Sequence, residues 1–178
     1  MAGETSKRLA GGTMGTGGNN VKHTIGVLME NKPGVLSRIS TLLARRSFNI
    51  DSITAGPTRD HEVTRMTVVV EGDEYVADNA ASEIAKLEDV IGIERMTASD
   101  SKSREIVLIK VKAGAGERSG LIDLAKVMDA SIVDVTETTL MIEFSDRPEK
   151  IDVLVGLLSG YEVLDMARGG AIALKTGD

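Results

Sequence analysis

The chain contains no cysteine and no tryptophan, and only two phenylalanines and two tyrosines among its 178 residues. Without cysteine there is no disulfide, thiolate metal ligand or cysteine nucleophile, which fits a reducing compartment and makes the cytoplasm the expected location. The scarcity of aromatic rings leaves almost no stacking surface for nucleotide bases. The core must therefore be built from valine, isoleucine, leucine, methionine and alanine.

Acidic residues outnumber basic ones by 27 to 21, which gives a formal net charge of −6. A phosphate-rich partner would be repelled unless the basic residues cluster, so nucleic acid is disfavoured as a partner. No apolar stretch approaches the ~20 residues that span a bilayer, and the N-terminus lacks the apolar segment of a signal peptide. We therefore expect a chain that is neither inserted into a membrane nor exported.

Glycine and apolar periodicity divide the chain into four segments. Residues 1–20 hold six glycines without apolar periodicity and predict a flexible tail, and the polar stretch 98–103 predicts a linker. Residues 21–97 and 104–178 each predict a domain of about 75 residues, large enough for a modest core.

Both predicted domains show the same order of strand and helix patterns. In the first, the stripe Val35, Leu36, Ile39, Leu42 and Leu43 predicts a helix after a strand, and Asp73 is a candidate N-cap for a second helix. The predicted strands there are 23–29, 49–55, 63–71 and 90–96. The second domain predicts strands at 105–111, 131–137 and 139–144, final strand material in "YEVLDMA" and "AIALK", and a helix start at Asp146, Pro148 and Glu149.

The fold class is therefore α+β, as two tandem ferredoxin-like βαββαβ sandwiches. In this topology both helices cover one face of an antiparallel sheet, and the other face and an edge stay open. A second copy that covered those surfaces would add stability to so small a core, so we expect a dimer.

Catalytic and metal-binding patterns are weak throughout. His23 and His61 have no ligand spacing, and carboxylates in "LEDV", "EGDEY" and "DRPEK" fit turns and helix starts better than acid–base roles. "GAGERSGL" (114–121) departs from the dinucleotide and P-loop patterns and favours a flexible connection. The strands carry no aromatics that would make an RNA-reading surface. No catalytic residue and no metal ligand is predicted.

The most concentrated local signal is "ENKPGVLSRI" at residues 30–39. Pro33 fits the first turn of a helix, Gly34 lets a ligand approach the backbone, and unpaired N–H groups at a helix start favour a carboxylate. Asn31 and Asn49 could add neutral amides, so the set suits a small zwitterion and contains no group that would transform it. From the pattern alone, an ordinary helix start is the stronger explanation.

The segments "IGVLMENKPGVLSRISTLLARRSFNIDSITAGPT" and "TRMTVVVEGD" resemble the N-terminal ACT domain of the regulatory small subunits of acetolactate synthase, also called acetohydroxyacid synthase. The second half, from "REIVLIKVKA" through "IVDVTETTLMIEF" to "ARGGAIALKTGD", resembles the C-terminal domain of that family. Gly56 stands where some relatives have alanine, and residues 1–20 have no recognised counterpart.

The resemblance implies a non-catalytic subunit in branched-chain amino-acid biosynthesis (valine, leucine and isoleucine). Such a subunit binds and activates a catalytic subunit that carries thiamine diphosphate, Mg²⁺ and FAD, and this chain itself would bind no cofactor. It would also confer feedback inhibition by valine at an interface between two ACT domains. The implied effector residues are Asn31, Pro33, Gly34, Val35 and Leu36 of one chain, with Asn49 and Ile50 of the other.

Some alternatives stay open at this point. Valine and leucine differ by one CH₂, worth ~0.8 kcal/mol, so the effector is not fixed. An ACT-type assembly scaffold, or a sensor for another partner without a valine response, fits the same residues. A DNA-binding regulator would need a helix-turn-helix, but both predicted helices of each half pack against its sheet.

Overall fold

The computed structural model describes residues 21–177, so the predicted tail at 1–20 lies outside the described residues. The N-terminal half forms a four-stranded antiparallel sheet in the order β2-β3-β1-β4. Its elements are β1 (Val21–Glu30), α1 (Val35–Arg45), β2 (Asn49–Pro57), β3 (Val63–Gly72), α2 (Glu74–Ala85) and β4 (Val90–Met96).

Local sequence explains these elements. Alternate residues of β3, such as Met66, Val68 and Val70, are buried beneath the helices, as expected for a strand with one face on a core. Asp73 is the N-cap of α2 and accepts a hydrogen bond from the Val76 N–H at 2.8 Å, which confirms its predicted role. The core is aliphatic and includes Ile25, Val27, Val35, Ile39, Leu43, Met66, Val68, Val70 and Ile84.

The C-terminal half repeats the arrangement with the strand order β6-β7-β5-β8. Its elements are β5 (Ser101–Lys112), α3 (Arg118–Met128), β6 (Ser131–Val135), β7 (Thr139–Asp146), α4 (Pro148–Leu157), β8 (Val163–Arg168) and β9 (Ile172–Lys175). A separate core packs under α3 and α4 and includes Val107, Ile109, Val111, Leu121, Leu140, Ile142, Phe144, Ile151 and Leu154. The predicted class of two βαββαβ sandwiches is confirmed.

Two boundaries differ from the sequence-based expectation. Strand β5 already begins at Ser101, inside the predicted linker 98–103, because β9 pairs with its first four residues. At α4, Pro148 occupies the first turn as predicted, but the N-cap is Arg147, not Asp146. The Asp146 carboxylate instead accepts from the Arg147 N–H at 2.7 Å.

The sheet face of the N-terminal half that points away from α1 and α2 is partly covered by the same chain. Strand β9 packs across β1, β3 and β4, and its Ala173 is only 5% exposed. Thr67, Val69 and Met96 lie on that face and are buried as well. The expectation that this whole face stays open for a second copy is therefore wrong, because the last strand folds back onto it. Among residues 21–177, no helix is long and apolar enough to cross a bilayer.

Candidate functional site

The loop between β1 and α1 turns at Gly34, which is the N-cap of α1 and has φ 87° and ψ −10°. This left-handed conformation is one that glycine adopts without a Cβ penalty. Helical geometry therefore starts at Val35, and Pro33 lies before the helix rather than in its first turn as the sequence suggested. A Cβ at Gly34 would meet no atom within 4 Å, so the space beside this residue is open.

Asn31 ties this loop to the hairpin that joins β2 and β3. Its Nδ2 donates to the carbonyl oxygen of His61 at 2.9 Å, and its backbone N–H donates to the carbonyl of Glu62 at 2.8 Å. The side-chain Oδ1 of Asn31 is left as an acceptor. The bonded pair of loops forms the upper end of the N-terminal sheet, where β1 and β2 both finish.

The start of α1 presents backbone donors. Within the described residues, no backbone or side-chain acceptor is bonded to the N–H groups of Gly34, Leu36 or Ser37, and no side chain caps the helix. Unsatisfied N–H groups and the helix dipole favour an anion at this position.

The cations nearest this helix start are engaged with carboxylates. Lys32 pairs with Glu30 at 2.7 Å, and the hydrogen bond to that carboxylate raises the pKa of Lys32. Arg38 pairs with Asp89 at 2.5 Å. An anion at the start of α1 would therefore rely on the backbone N–H groups.

The predicted apolar contacts differ in accessibility. Val35 is 2% exposed and belongs to the core, whereas Leu36 is 43% exposed. Ile50 is half-buried and packs against the N-terminal core. Of these three side chains, Leu36 offers the largest free surface to a ligand.

Asn49 opens β2, the strand at the edge of the sheet. It lies opposite Glu71 of β3, and its Nδ2 donates to the Glu71 carboxylate. The side-chain Oδ1 of Asn49 then remains as an acceptor.

The structure separates the predicted site residues into two groups. Asn49 is level with Glu71 and Lys22, near the start of β1, whereas Asn31 follows the last residue of β1, Glu30. Nine residues of strand at about 3.3 Å each place the groups on the order of 30 Å apart. Within one chain, Asn49 and Ile50 therefore cannot share a small-molecule site with the loop at 31–36.

The structure also places the two histidines and the segment 114–121, the weaker candidates for metal or phosphate binding. His23 is buried in β1 with Nε2 3.2 Å from the carbonyl oxygen of Gly72, and His61 lies in the β2–β3 loop. In residues 21–177, no three His, Cys, Asp or Glu side chains converge as a metal site would require. In the segment 114–121, a short turn at 115–117 leads into the first residues of α3, and Arg118 donates to the carbonyl oxygens of Ala113, Thr136 and Glu137.

Sequence reasoning missed the two residues that position the asparagines. His61 offers its carbonyl to Asn31, and Glu71 holds the Asn49 amide. The first partner is a backbone atom, which no side-chain pattern identifies. The second could be found from the hairpin register, because a cross-strand neighbour follows once the turn length is known.

Comparison with known proteins accounts for both halves of the chain. Residues 25–92 match the family model "AHAS small subunit-like ACT domain", and residues 104–177 match "Small subunit of acetolactate synthase". The probable acetolactate synthase small subunit of Archaeoglobus fulgidus is 39% identical over 158 residues, which are 89% of this chain and 99% of that protein. The chain belongs to the acetolactate synthase small subunit family.

Two further comparisons agree with this assignment. The acetolactate synthase small subunit of Mycolicibacterium smegmatis is 38% identical over 155 residues, covering 87% of this chain and 91% of the relative. The crystal structure of the acetolactate synthase small subunit from Thermotoga maritima superposes with a TM-score of 0.82 at 28% identity, covering 89% of this chain and 99% of that one. The chain is thus an acetolactate synthase small, regulatory subunit with an ACT domain, and its relatives support a non-catalytic role.

Proposed function

We propose that this small subunit binds and activates a catalytic acetolactate synthase subunit, and that it transmits feedback inhibition by valine bound between two ACT domains. The observation that carries the proposal is the ~30 Å separation of the two residue groups along one sheet. Each group lies at an accessible end of the sheet, and β2 is an edge strand. A complete site then requires a second chain.

Antiparallel pairing of two β2 edges satisfies this requirement. A two-fold axis near the middle of β2 reverses the partner strand, so that the partner's first residue lies beside the last residue of this strand. Strand β2 runs from Asn49 to Pro57, and Pro57 shares the upper end of the sheet with the loop at 31–36. The partner's Asn49 would then approach the α1 start, and each dimer would hold two equivalent sites.

The available groups fit the three parts of valine. The carboxylate would accept from the N–H groups of Gly34, Leu36 and Ser37 at the start of α1. The ammonium would donate to Oδ1 of the partner's Asn49, which the bond to Glu71 orients within each chain. The isopropyl group would pack on exposed Leu36 and on the partner's Ile50, while buried Val35 anchors the loop in the core.

Binding of valine between two chains would change the geometry of the dimer, and hence its affinity for the catalytic subunit. Thiamine diphosphate, Mg²⁺ and FAD would act on that subunit, and this chain would supply no reacting group. The complex would work in the cytoplasm, in the synthesis of branched-chain amino acids.

Complementation between two site variants tests the two-chain arrangement. Asn31→Ala releases the loop before α1 from the His61 carbonyl, and Asn49→Ala removes the acceptor for the ammonium, so each is expected to abolish measurable valine binding in calorimetry of the separate proteins. If the variants are mixed and allowed to exchange subunits, every mixed dimer has one intact site and one doubly altered site. About a quarter of all sites in an equal mixture should then bind valine with the parent affinity, by the statistics of a symmetric dimer.

Recovery of binding in the mixture supports a site shared between chains, and binding that stays absent in the mixture would overturn it. Asn79→Ala, a side chain on α2, is the matched control and should bind valine as the parent does. An activity assay of the catalytic subunit, with and without this chain and valine, tests regulation separately. Activation that valine does not reverse would instead identify an assembly scaffold.

A further inference from the structure

A cavity lies between the two halves and has no part in the proposed valine site. Its volume is about 470 Å³, within the range of ~300–1,000 Å³ typical of small-molecule sites. One wall is the end of β2, and the other is formed by the β5–β9 strand pair. The lining residues are Thr54, Ala55, Gly56, Pro57, Arg65, Thr67, Lys102, Arg104, Ile172, Ala173 and Leu174.

On the β5–β9 wall, each cation of β5 lies beside an aliphatic side chain of β9. Lys102 lies opposite Leu174, and Arg104 lies opposite Ile172, so each pair shares a face of the ribbon. Ile172 and Leu174 are each 58% exposed, which is unusual for large aliphatic side chains in a concave surface. The wall thus offers apolar contact and positive charge side by side.

Neither cation on this wall forms an ion pair within the described residues, although Arg104 is near enough to Asp146 to contribute to the lowered pKa of that carboxyl. Within residues 21–177, neither Lys102 nor Arg104 has a carboxylate within 4 Å, although the chain as a whole carries a net charge of −6. Among residues 21–177, the Arg104 guanidinium donates to the carbonyl oxygen of Ser103 alone, at 2.7 Å. No aspartate or glutamate is among the lining residues of the described cavity, and Arg65 adds a third cation, paired with Glu94 at 3.2 Å.

The opposite wall, formed by β2, leaves open space beside Gly56. The Thr54 hydroxyl oxygen is buried and has no hydrogen-bond partner in the described part of the chain. A Cβ added at Gly56 would meet no atom within 4 Å. The Thr54 hydroxyl itself is fully covered and lies against Gly170, so a ligand would lie beside this residue and would not bond to its hydroxyl.

We propose that this cavity binds a small amphipathic anion, with a carboxylate or related acidic group on Lys102 and Arg104 and an apolar body along Ile172 and Leu174. The concentration of unpaired cations against a negative background selects an anion over a neutral or cationic ligand. Because the walls come from both halves, occupancy would favour one arrangement of the two domains. The site goes beyond the proposed valine function and does not depend on it.

Methyl NMR of the full chain with octanoate tests the proposal without an enzyme assay. Octanoate is expected to shift the methyl signals of Ile172 and Leu174 but not those of core Ile39. The neutral analogue octan-1-ol should bind at least tenfold more weakly, because it lacks a charge interaction of about 1.4 kcal/mol. The double variant Lys102→Gln/Arg104→Gln should weaken octanoate binding about tenfold. The double variant Lys126→Gln/Arg147→Gln removes the same charge from exposed positions elsewhere and should bind within twofold of the parent.

A second variant tests the cavity itself. Gly56→Leu should fill the space and abolish the octanoate shifts, whereas Gly92→Leu on β4, also without a neighbour within 4 Å of its Cβ, should not. Equal affinity for octanoate and octan-1-ol, unchanged affinity in the Lys102/Arg104 variant, or shifts that avoid Ile172 and Leu174 would each overturn the proposal. Gly34→Asp, which alters the proposed valine site, should leave octanoate binding intact, so failure of one proposal is distinguishable from failure of the other.

Discussion

Arg168 on β8 forms an ion pair with Glu105 on β5: its Nε donates a hydrogen bond to Glu105 Oε2 at 2.7 Å, and its Nη2 lies 2.6 Å from the same oxygen. The Glu105 side chain is only 5% exposed, so this pair is the most deeply buried ion pair described. The remaining Nη1 of Arg168 reaches Asp152 of α4 at 2.6 Å. One guanidinium thus joins the first strand, the last helix and the end of β8 in the C-terminal half.

Arg168→Met should destabilise the chain by about 3 kcal/mol, because it leaves the Glu105 carboxylate buried without a partner. Arg95→Met is the matched control: Arg95 pairs with Glu74 and Asp78, which are 77% and 70% exposed, so its loss should cost about 1 kcal/mol or less. Urea unfolding measures both. In Arg168→Met/Glu105→Gln the loss should shrink, and a double variant as unstable as the single one would contradict this account.

Gly34→Ala should lower the free energy of unfolding by about 1 kcal/mol, because its φ of 87° is strained for any residue with a Cβ. No steric overlap adds to this cost, since the space around that Cβ is empty. Gly116→Ala, in a turn without positive φ and without neighbours, should change stability by much less. Equal destabilisation of the two variants would show that strain at Gly34 is not responsible. Chemical denaturation followed by circular dichroism is sufficient for the comparison.

Acid should destabilise the fold partly through Glu83 on α2. Hydrogen bonding to Lys86 lowers the pKa of Glu83, and Arg46 contributes further in the same direction. The unfolded chain therefore takes up this proton first as the pH falls below about 4.5, and the stabilisation present above that pH is lost as the pH falls through the folded-state pKa.

Glu83→Gln should accordingly reduce stability at pH 7 and flatten the fall in stability between about pH 5 and 3. The control is Glu88→Gln, at an exposed position that has no ion pair among the described residues. A Glu83→Gln variant with the same acid profile as the parent would show that this carboxylate does not contribute. Thermal melts across the pH range provide the measurement.

Gly170→Ala should weaken the contact between the two halves. A Cβ at Gly170 would overlap the hydroxyl of Thr54 and lie 3.1 Å from Cβ of Ser52, both on β2. Forcing extra volume into such a contact costs about 1–3 kcal/mol. Calorimetry should therefore show a lower melting temperature, whereas Gly92→Ala, whose added Cβ has no neighbour, should melt as the parent does. Equal melting temperatures for the two variants would mean that β2 shifts to accommodate the added Cβ without loss of stability.

The order of elements was predictable because its signals are local. The stripe from Val35 to Leu43 and the alternation in β3 are periodic over a few residues, and Asp73 caps α2 through the N–H of Val76, three residues along the chain. The pairing of β9 with Ser101–Arg104 was not, because it joins segments about 70 residues apart. Because of that pairing, β5 begins earlier than predicted, and β9 covers a face of the N-terminal sheet that was expected to be open.

The candidate site shows the same division. The residue types around Gly34 were identifiable from sequence, but the sequence placed Pro33 inside a helix that starts at Val35. The separation of Asn31 from Asn49 became visible only with the register of β1 against β3 and β2. Sequence proximity of 18 residues gave no hint that the two amides lie at opposite ends of a sheet.

Strand β9 lies almost at the end of the chain, yet it covers the N-terminal sheet, where Val69 and Met96 are each 5% exposed. The two βαββαβ units are therefore not freely exchangeable modules. A premature stop codon just before Ile172 would keep the core strands of the C-terminal half but expose the apolar face of the N-terminal sheet. We expect the truncated protein to aggregate through the exposed face of its ACT domain, which lies more than 70 residues away from the missing segment in the sequence.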